Sequence, residues 1–109
     1  MDTPSPASES LTGLAAGGCQ VFMFSTGQGN PVGFPIVPTI KISANPETAV
    51  RQGLDLDCDL SRALDDIGSL DGAEDALWTR FCWVVNGKLT MSEILDMGTM
   101  AFNRLNPTV

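Results

Sequence analysis

The stretch CQVFMFSTGQGNP (residues 19–31) decides the fold reading. Its first half, CQVFMF (19–24), is apolar with no alternation, the pattern of a strand covered on both faces, as in a parallel sheet between helices. The run stops at Ser25-Thr26-Gly27-Gln28-Gly29, where hydroxyls and glycines replace large side chains. In open α/β sheets, ligands settle in the crevice beyond the carboxyl ends of the strands. Glycine lets backbone N–H groups approach an anion with no Cβ in the way, and Ser25 and Thr26 add hydroxyl donors. Two readings stay open: a loop that holds a carboxylate or phosphate, or a tight turn and nothing more. The stretch matches neither GxGxxG nor GxxxxGK[ST], so nucleotide binding is not expected.

A second strand is predicted at PTIKIS (38–43), entered through a loop in which Pro35 and Pro38 forbid an interior strand before Thr39. Lys41 is the one basic residue among the first fifty and sits between two isoleucines. A buried lysine is costly unless paired and is often functional. A lysine on an edge strand instead protects a sheet from aggregation. The sequence leaves both open.

ANPETAVRQG (44–53) spells a helix: Asn45 as N-cap, Pro46 at the first position, Glu47 at the positive end, Gly53 as stop. Upstream, LTGLAAGG (11–18) predicts one or two helical turns closed by glycines. Downstream, LDLDCDL (54–60) predicts a third, short or edge strand. Leu70, Ala73, Leu77, Phe81 and Val84 form a helical stripe within 69–85, closed by Asn86-Gly87. Trp78 and Trp83 fall off that stripe and are expected at the surface, facing another chain or domain. Thr90 and Glu93 form a capping box for a last helix, expected to stop near Gly98. The fold class is α/β, with a small, mainly parallel sheet flanked by helices. Residues 1–10 read as an extended lead-in, 11–98 as one α/β domain and 99–109 as a tail.

At 109 residues, a chain removes roughly two-thirds of its unfolded surface from water, enough for one modest core. A net charge of −7 argues against a nucleic-acid surface, which needs clustered Lys and Arg. No apolar run nears the roughly 20 residues needed to span a bilayer. Three unpaired, widely spaced cysteines fit free structural thiols in a reducing cytoplasm. With no histidine, a His relay is excluded within this chain, and so is the commonest metal ligand.

Asp55, Asp57 and Asp59 begin like a calcium loop, but Leu60 stands where glycine is needed and Asp66 where a bidentate Glu is needed. A solvated acidic turn is the expectation, with one carboxylate at most lent to a metal held elsewhere.

Taken in order, MDTP (1–4), SLTGLAAGG (10–18), FSTGQG (24–29), PTIKISANPET (38–48), DLDCD (55–59) and NGKLTMSE (86–93) resemble the C-terminal part of the altronate/galactarate dehydratase family. ASESLTGLAA (7–16) is closer to the galactarate type. Gln28 departs from the commoner Arg or Leu, and Asp57 and Asp59 from the commoner Asn and Gly. The resemblance implies a Rossmann-like layer belonging to a larger, metal-dependent hydro-lyase that dehydrates a sugar acid to a keto-deoxy acid. It implies a divalent metal, iron, with ligands largely outside this chain. It also implies a homo-oligomeric, cytoplasmic enzyme whose remaining part, or a partner subunit, completes the site. Residues mapped onto the family pattern are Ser25, Thr26, Gly27, Gly29 and Asn45 for substrate, and Lys41 for positive charge or the base. The competing expectation is a non-catalytic assembly module that keeps the fold without the chemistry.

Overall fold

The computed structural model describes residues 6–64 and 70–102. Three strands, β1 (Phe22–Ser25), β2 (Thr39–Ser43) and β3 (Cys58–Asp59), pair in the order β1-β2-β3, both pairs parallel. Helix α1 (Ala7–Ala16) precedes β1, α2 (Pro46–Gln52) links β2 to β3, and α3 (Leu70–Val85) and α4 (Met91–Ile94) follow. The small parallel sheet flanked by helices is the expected α/β class. Parallel neighbours need a crossover, which is commonly a helix. Between β1 and β2 it is instead the irregular loop 26–38.

β2 is the middle strand, and all five of its residues are buried. Its period-two alternation sorts them onto two unlike faces. Ile40 and Ile42 join Cys58 and Val84 in one core cluster, against which Leu77 and Phe81 of α3 pack. Thr39, Lys41 and Ser43 point the other way. There the β1 residues Phe22 and Phe24, in register with Thr39 and Lys41, belong to a second cluster with Leu11 of α1 and with Phe34 and Val37 of the crossover loop. Phe22 meets Phe34 edge-on, with ring centres 6.0 Å apart.

The polar face of β2 is satisfied from within. Thr39 Oγ1 accepts from Phe34 N at 3.2 Å and donates to the Val37 carbonyl at 3.2 Å. Ser43 Oγ accepts from Asn45 N. Asp57, also buried, uses both carboxylate oxygens: Oδ2 accepts from Lys41 N and Oδ1 from Met91 N, each at 2.9 Å. One side chain thus ties α4 to the central strand. Thr90 and Glu93 form the expected capping box at the start of α4.

Several elements differ from expectation. α1 starts at Ala7, within the stretch read as lead-in, because Pro6 sits just ahead of the first turn, where its missing N–H costs nothing. β1 starts at Phe22 rather than Cys19, because residues 17–19 close α1: Gly18 N bonds the Ala15 carbonyl and Cys19 N that of Leu14. β1 is also an edge strand, with Met23 50% exposed, so it is not covered on both faces within this chain. α4 ends at Ile94, short of Gly98, because Asp96 turns left-handed at φ 52° and Gly98 bridges to Gly33. Leu70, the first residue of the α3 stripe, is exposed. Asp59 has no left-handed backbone and sits in β3. The NPTV end of the tail and Asp66 of the calcium comparison lie outside the described residues.

Asp57→Ala leaves two backbone amides without acceptors in the interior. The expected cost is about 2–4 kcal/mol, measured as a lowered urea midpoint at unchanged m-value.

Candidate functional site

Ser25, Ser43 and Asp59 end the three strands on one side of the parallel sheet. The turn after β1 lies along α2, and its hydrogen bonds define it. Thr26 N extends the ladder to the Ile42 carbonyl at 2.9 Å, and Thr26 Oγ1 accepts from Gly29 N at 3.0 Å. The Gly27 carbonyl accepts twice, from Asn45 Nδ2 and from Thr48 Oγ1, both at 2.8 Å. The Gln28 carbonyl accepts from the Arg51 guanidinium. Gly29 stands at φ +90°, and a Cβ there would lie 1.7 Å from Gln52 Oε1. Asn45 also caps α2, its Oδ1 accepting from Glu47 N.

These bonds give the turn a polarity. The carbonyls of Gly27 and Gln28 are spent on α2. Because a peptide is planar with C=O and N–H trans, the N–H of Gln28 then points away from α2. Ser25 is exposed, and nothing lies within 4 Å of a Cβ placed on Gly27. The outward side therefore offers donors, the chemistry that suits a carboxylate.

Lys41 is wholly buried, at 0% exposure, and lies on the central strand, which removes the edge-guard reading. Its Nζ donates to the Pro31 carbonyl, midway along the loop that begins with Thr26. Burial pushes its pKa below the usual 10.5, while Asp55 and Asp57 partly oppose the shift. Of the sequence-predicted residues, the fold brings together Ser25, Thr26, Gly27, Gly29 and Asn45. The Lys41 ammonium meets the same loop at Pro31 instead. Thr48 and Arg51 escaped the sequence reading. Their spacing from Asn45 puts all three on one helix face, but polar residues there read as solvated.

The described residues do not fit a metal centre of their own. No three of their His, Cys, Asp and Glu residues converge closely enough to hold an ion. Asp57 is committed to two amides, and Asp59 Oδ1 accepts from Ser61 N at 2.8 Å. A cleft of about 400 Å³ between β3 and α3 is lined by Asp57, Cys58, Asp59, Asp75, Arg80 and Trp83, among others. Burial raises the Cys58 pKa, which keeps that thiol protonated and unreactive. The three cysteines are free, with Cys19 exposed and Cys58 buried. No helix among the described residues is long and apolar enough to cross a membrane.

Residues 1–108 match the family described as D-galactarate/Altronate dehydratase, C-terminal. The chain is 38% identical over 105 residues to the (2R)-sulfolactate sulfo-lyase subunit beta of Chromohalobacter salexigens, covering 96% of this chain and 27% of that protein. It is 29% identical over 109 residues to the altronate dehydratase of Escherichia coli (strain K12), covering 100% of this chain and 22% of that enzyme. A 34-residue segment is 53% identical to the altronate dehydratase of Bacillus subtilis (strain 168), covering 31% of this chain and 7% of that enzyme. The chain thus spans about a quarter of the length of the first two relatives. No solved structure matches it significantly.

Gly29→Ala is expected to cost about 1–2 kcal/mol, from the left-handed backbone a Cβ disfavours and the displaced Gln52 amide. Thr48→Val removes one of two donors to the Gly27 carbonyl and is expected to cost about 1 kcal/mol. Thermal melts of both variants check this, and a Gly29→Ala protein as stable as wild type would contradict the turn geometry.

Proposed function

This chain belongs to the D-galactarate/altronate dehydratase C-terminal family, and from that premise we propose that it supplies substrate-binding groups to a carbon–oxygen lyase. The family match over residues 1–108 carries the reading. The substrate class is a sugar acid of the galactarate or altronate kind, dehydrated to a keto-deoxy acid. In that reaction a base removes the proton α to the carboxylate, the β-hydroxyl leaves as water, and the resulting enol becomes a 2-keto acid. Sulfolactate, named for one relative, shares the carboxylate and its neighbouring hydroxyl and differs in the group that can leave. The recognition element common to both is the 2-hydroxy carboxylate.

This chain's own residues suit that element. The Ser25 hydroxyl and the outward N–H at Gln28 are placed to hold the carboxylate. Gly27 leaves room for it, while Thr26, Gly29 and Asn45 keep the turn closed. Charge builds on the carboxylate as the α-proton departs, so a fixed positive charge is worth most there. Lys41, buried beneath the loop and bonded to the Pro31 carbonyl, lends that charge from below, and the base comes from the rest of the enzyme. The divalent metal, iron by family resemblance, takes its ligands from the remaining part of the enzyme or a partner subunit. The assembly is a cytoplasmic homo-oligomer.

A second reading, a non-catalytic assembly module, draws on the surface of α3. Trp78 is 63% exposed and stacks on Phe81 at 5.5 Å, and the Lys88 ammonium sits 4.0 Å from the Trp83 ring centre. On that reading Trp78→Ala weakens association and no sugar acid shifts the melting temperature.

Purified alone, the chain is expected to show no dehydration of galactarate or altronate. Joined to the rest of a family enzyme it is expected to restore turnover, with Lys41→Ala lowering kcat/KM by ~100-fold. An unchanged value in that variant takes Lys41 out of the site. A chain that binds the rest but never supports turnover favours the assembly module.

A further inference from the structure

We propose that the outer edge of β1 receives a fourth strand, supplied by the polypeptide that makes up the other three-quarters of the family's enzymes. This rests on the reading above that another part of the enzyme completes the site.

The first support is a mismatch between sequence and position. CQVFMF lacks the polar alternation of a strand with one wet face, yet β1 is an edge strand with Met23 half exposed. A run of this composition is stable when neighbours cover it.

The second support is the backbone. Phe22 N bonds the Pro38 carbonyl and Thr26 N the Ile42 carbonyl, each at 2.9 Å. In a parallel pair the residues that bond one neighbour alternate, so Phe22, Phe24 and Thr26 face β2. The N–H and C=O groups of Met23 and Ser25 therefore face outward, a row of donors and acceptors with no strand paired to it among the described residues. Two of the usual guards are missing, since β1 holds no proline and no charged residue. The opposite edge, β3, is two residues long and too short to offer such a row.

The third support is length. Relatives matched along nearly all of this chain are about four times longer, so the family's enzymes contain the additional polypeptide that a larger sheet requires. The occupant is an extended apolar segment of that polypeptide, added parallel to β1 as β2 already is. A strand there also lies beside Ser25 and the start of the Thr26–Gly29 turn, which puts its carboxyl end next to the proposed carboxylate cradle.

The test pairs hydrogen exchange with one substitution. The probe is the sulfo-lyase subunit beta of Chromohalobacter salexigens with the region matching this chain removed, fused to or mixed with this chain. In the chain alone, the Met23 and Ser25 amides are expected to exchange near the open-chain rate while Phe24 is protected. In the complex they are expected to slow by ~100-fold. Met23→Pro removes an outward N–H that the β1–β2 ladder does not use, so the isolated variant is expected to keep its melting temperature and to lose the complex. Should the proline variant fold poorly, Met23→Lys, which places a charge on the edge and leaves the backbone intact, is expected to weaken the complex at least tenfold. A complex in which Met23 and Ser25 still exchange fast overturns the strand addition and leaves the shared-site reading standing. No complex between folded components overturns both. A dimer of the chain alone that protects these amides shows a second copy as the occupant and overturns the proposal.

Discussion

The structure depends on an unusual demand made by β2. A central strand covered on both sides would ordinarily be apolar on both, yet one face here carries Thr39, Lys41 and Ser43 with no exposure at all. Each polar group taken from water without a partner is costly, and a charged one far more so. The chain meets the demand by folding its irregular segments onto that face. The Phe34 amide and Val37 carbonyl serve Thr39, the Pro31 carbonyl serves Lys41, and the Asn45 amide uses Ser43. The crossover loop is therefore held by specific bonds to the strand beneath it, although it contains no helix.

That constraint also shapes the turn at the end of β1. The loop is fixed at its middle, at Pro31, by the Lys41 ammonium and at its near end by α2, through Asn45, Thr48 and Arg51. Both clamps act on carbonyl oxygens. The clamp on the Gly27 carbonyl turns the Gln28 N–H away from α2, while the Thr26, Gly29 and Val32 amides are spent on the Ile42 carbonyl, Thr26 Oγ1 and Asn30 Oδ1. STGQG is a tight turn, and the closure through Thr26 and Gly29 is what orients its remaining groups.

Much of this was legible in local patterns. Asn45-Pro46-Glu47 announced α2, Thr90 with Glu93 announced α4, and Asn86-Gly87 ended α3, where Gly87 takes φ +97° and Lys88 N reaches the Trp83 carbonyl. Such signals involve residues within a few positions of each other, so the sequence displays them directly. The isoleucine neighbours of Lys41 left burial and an edge position both open, and its partner was hidden because Pro31 is ten residues away along an irregular path. Asp57 was read as one carboxylate of a solvated turn. Its actual task, bridging β2 and α4, depends on residues 16 and 34 positions distant. The position of β1 at an edge was likewise hidden, since an apolar run records the environment a strand needs and says nothing about which polypeptide provides it.

The central claim is that the Lys41 ammonium is sealed under the crossover loop, and the most direct measurement is an NMR titration of its side chain. Desolvation lowers the folded-state pKa below the unfolded value of 10.5, so the unfolded chain binds more protons between the two values. In that window stability gains from rising pH, and Lys41→Met removes the gain. The account predicts a Lys41 titration midpoint below 10.5, with side-chain N–H protons that exchange slowly with water. A midpoint at or above 10.5 with freely exchanging protons would contradict it.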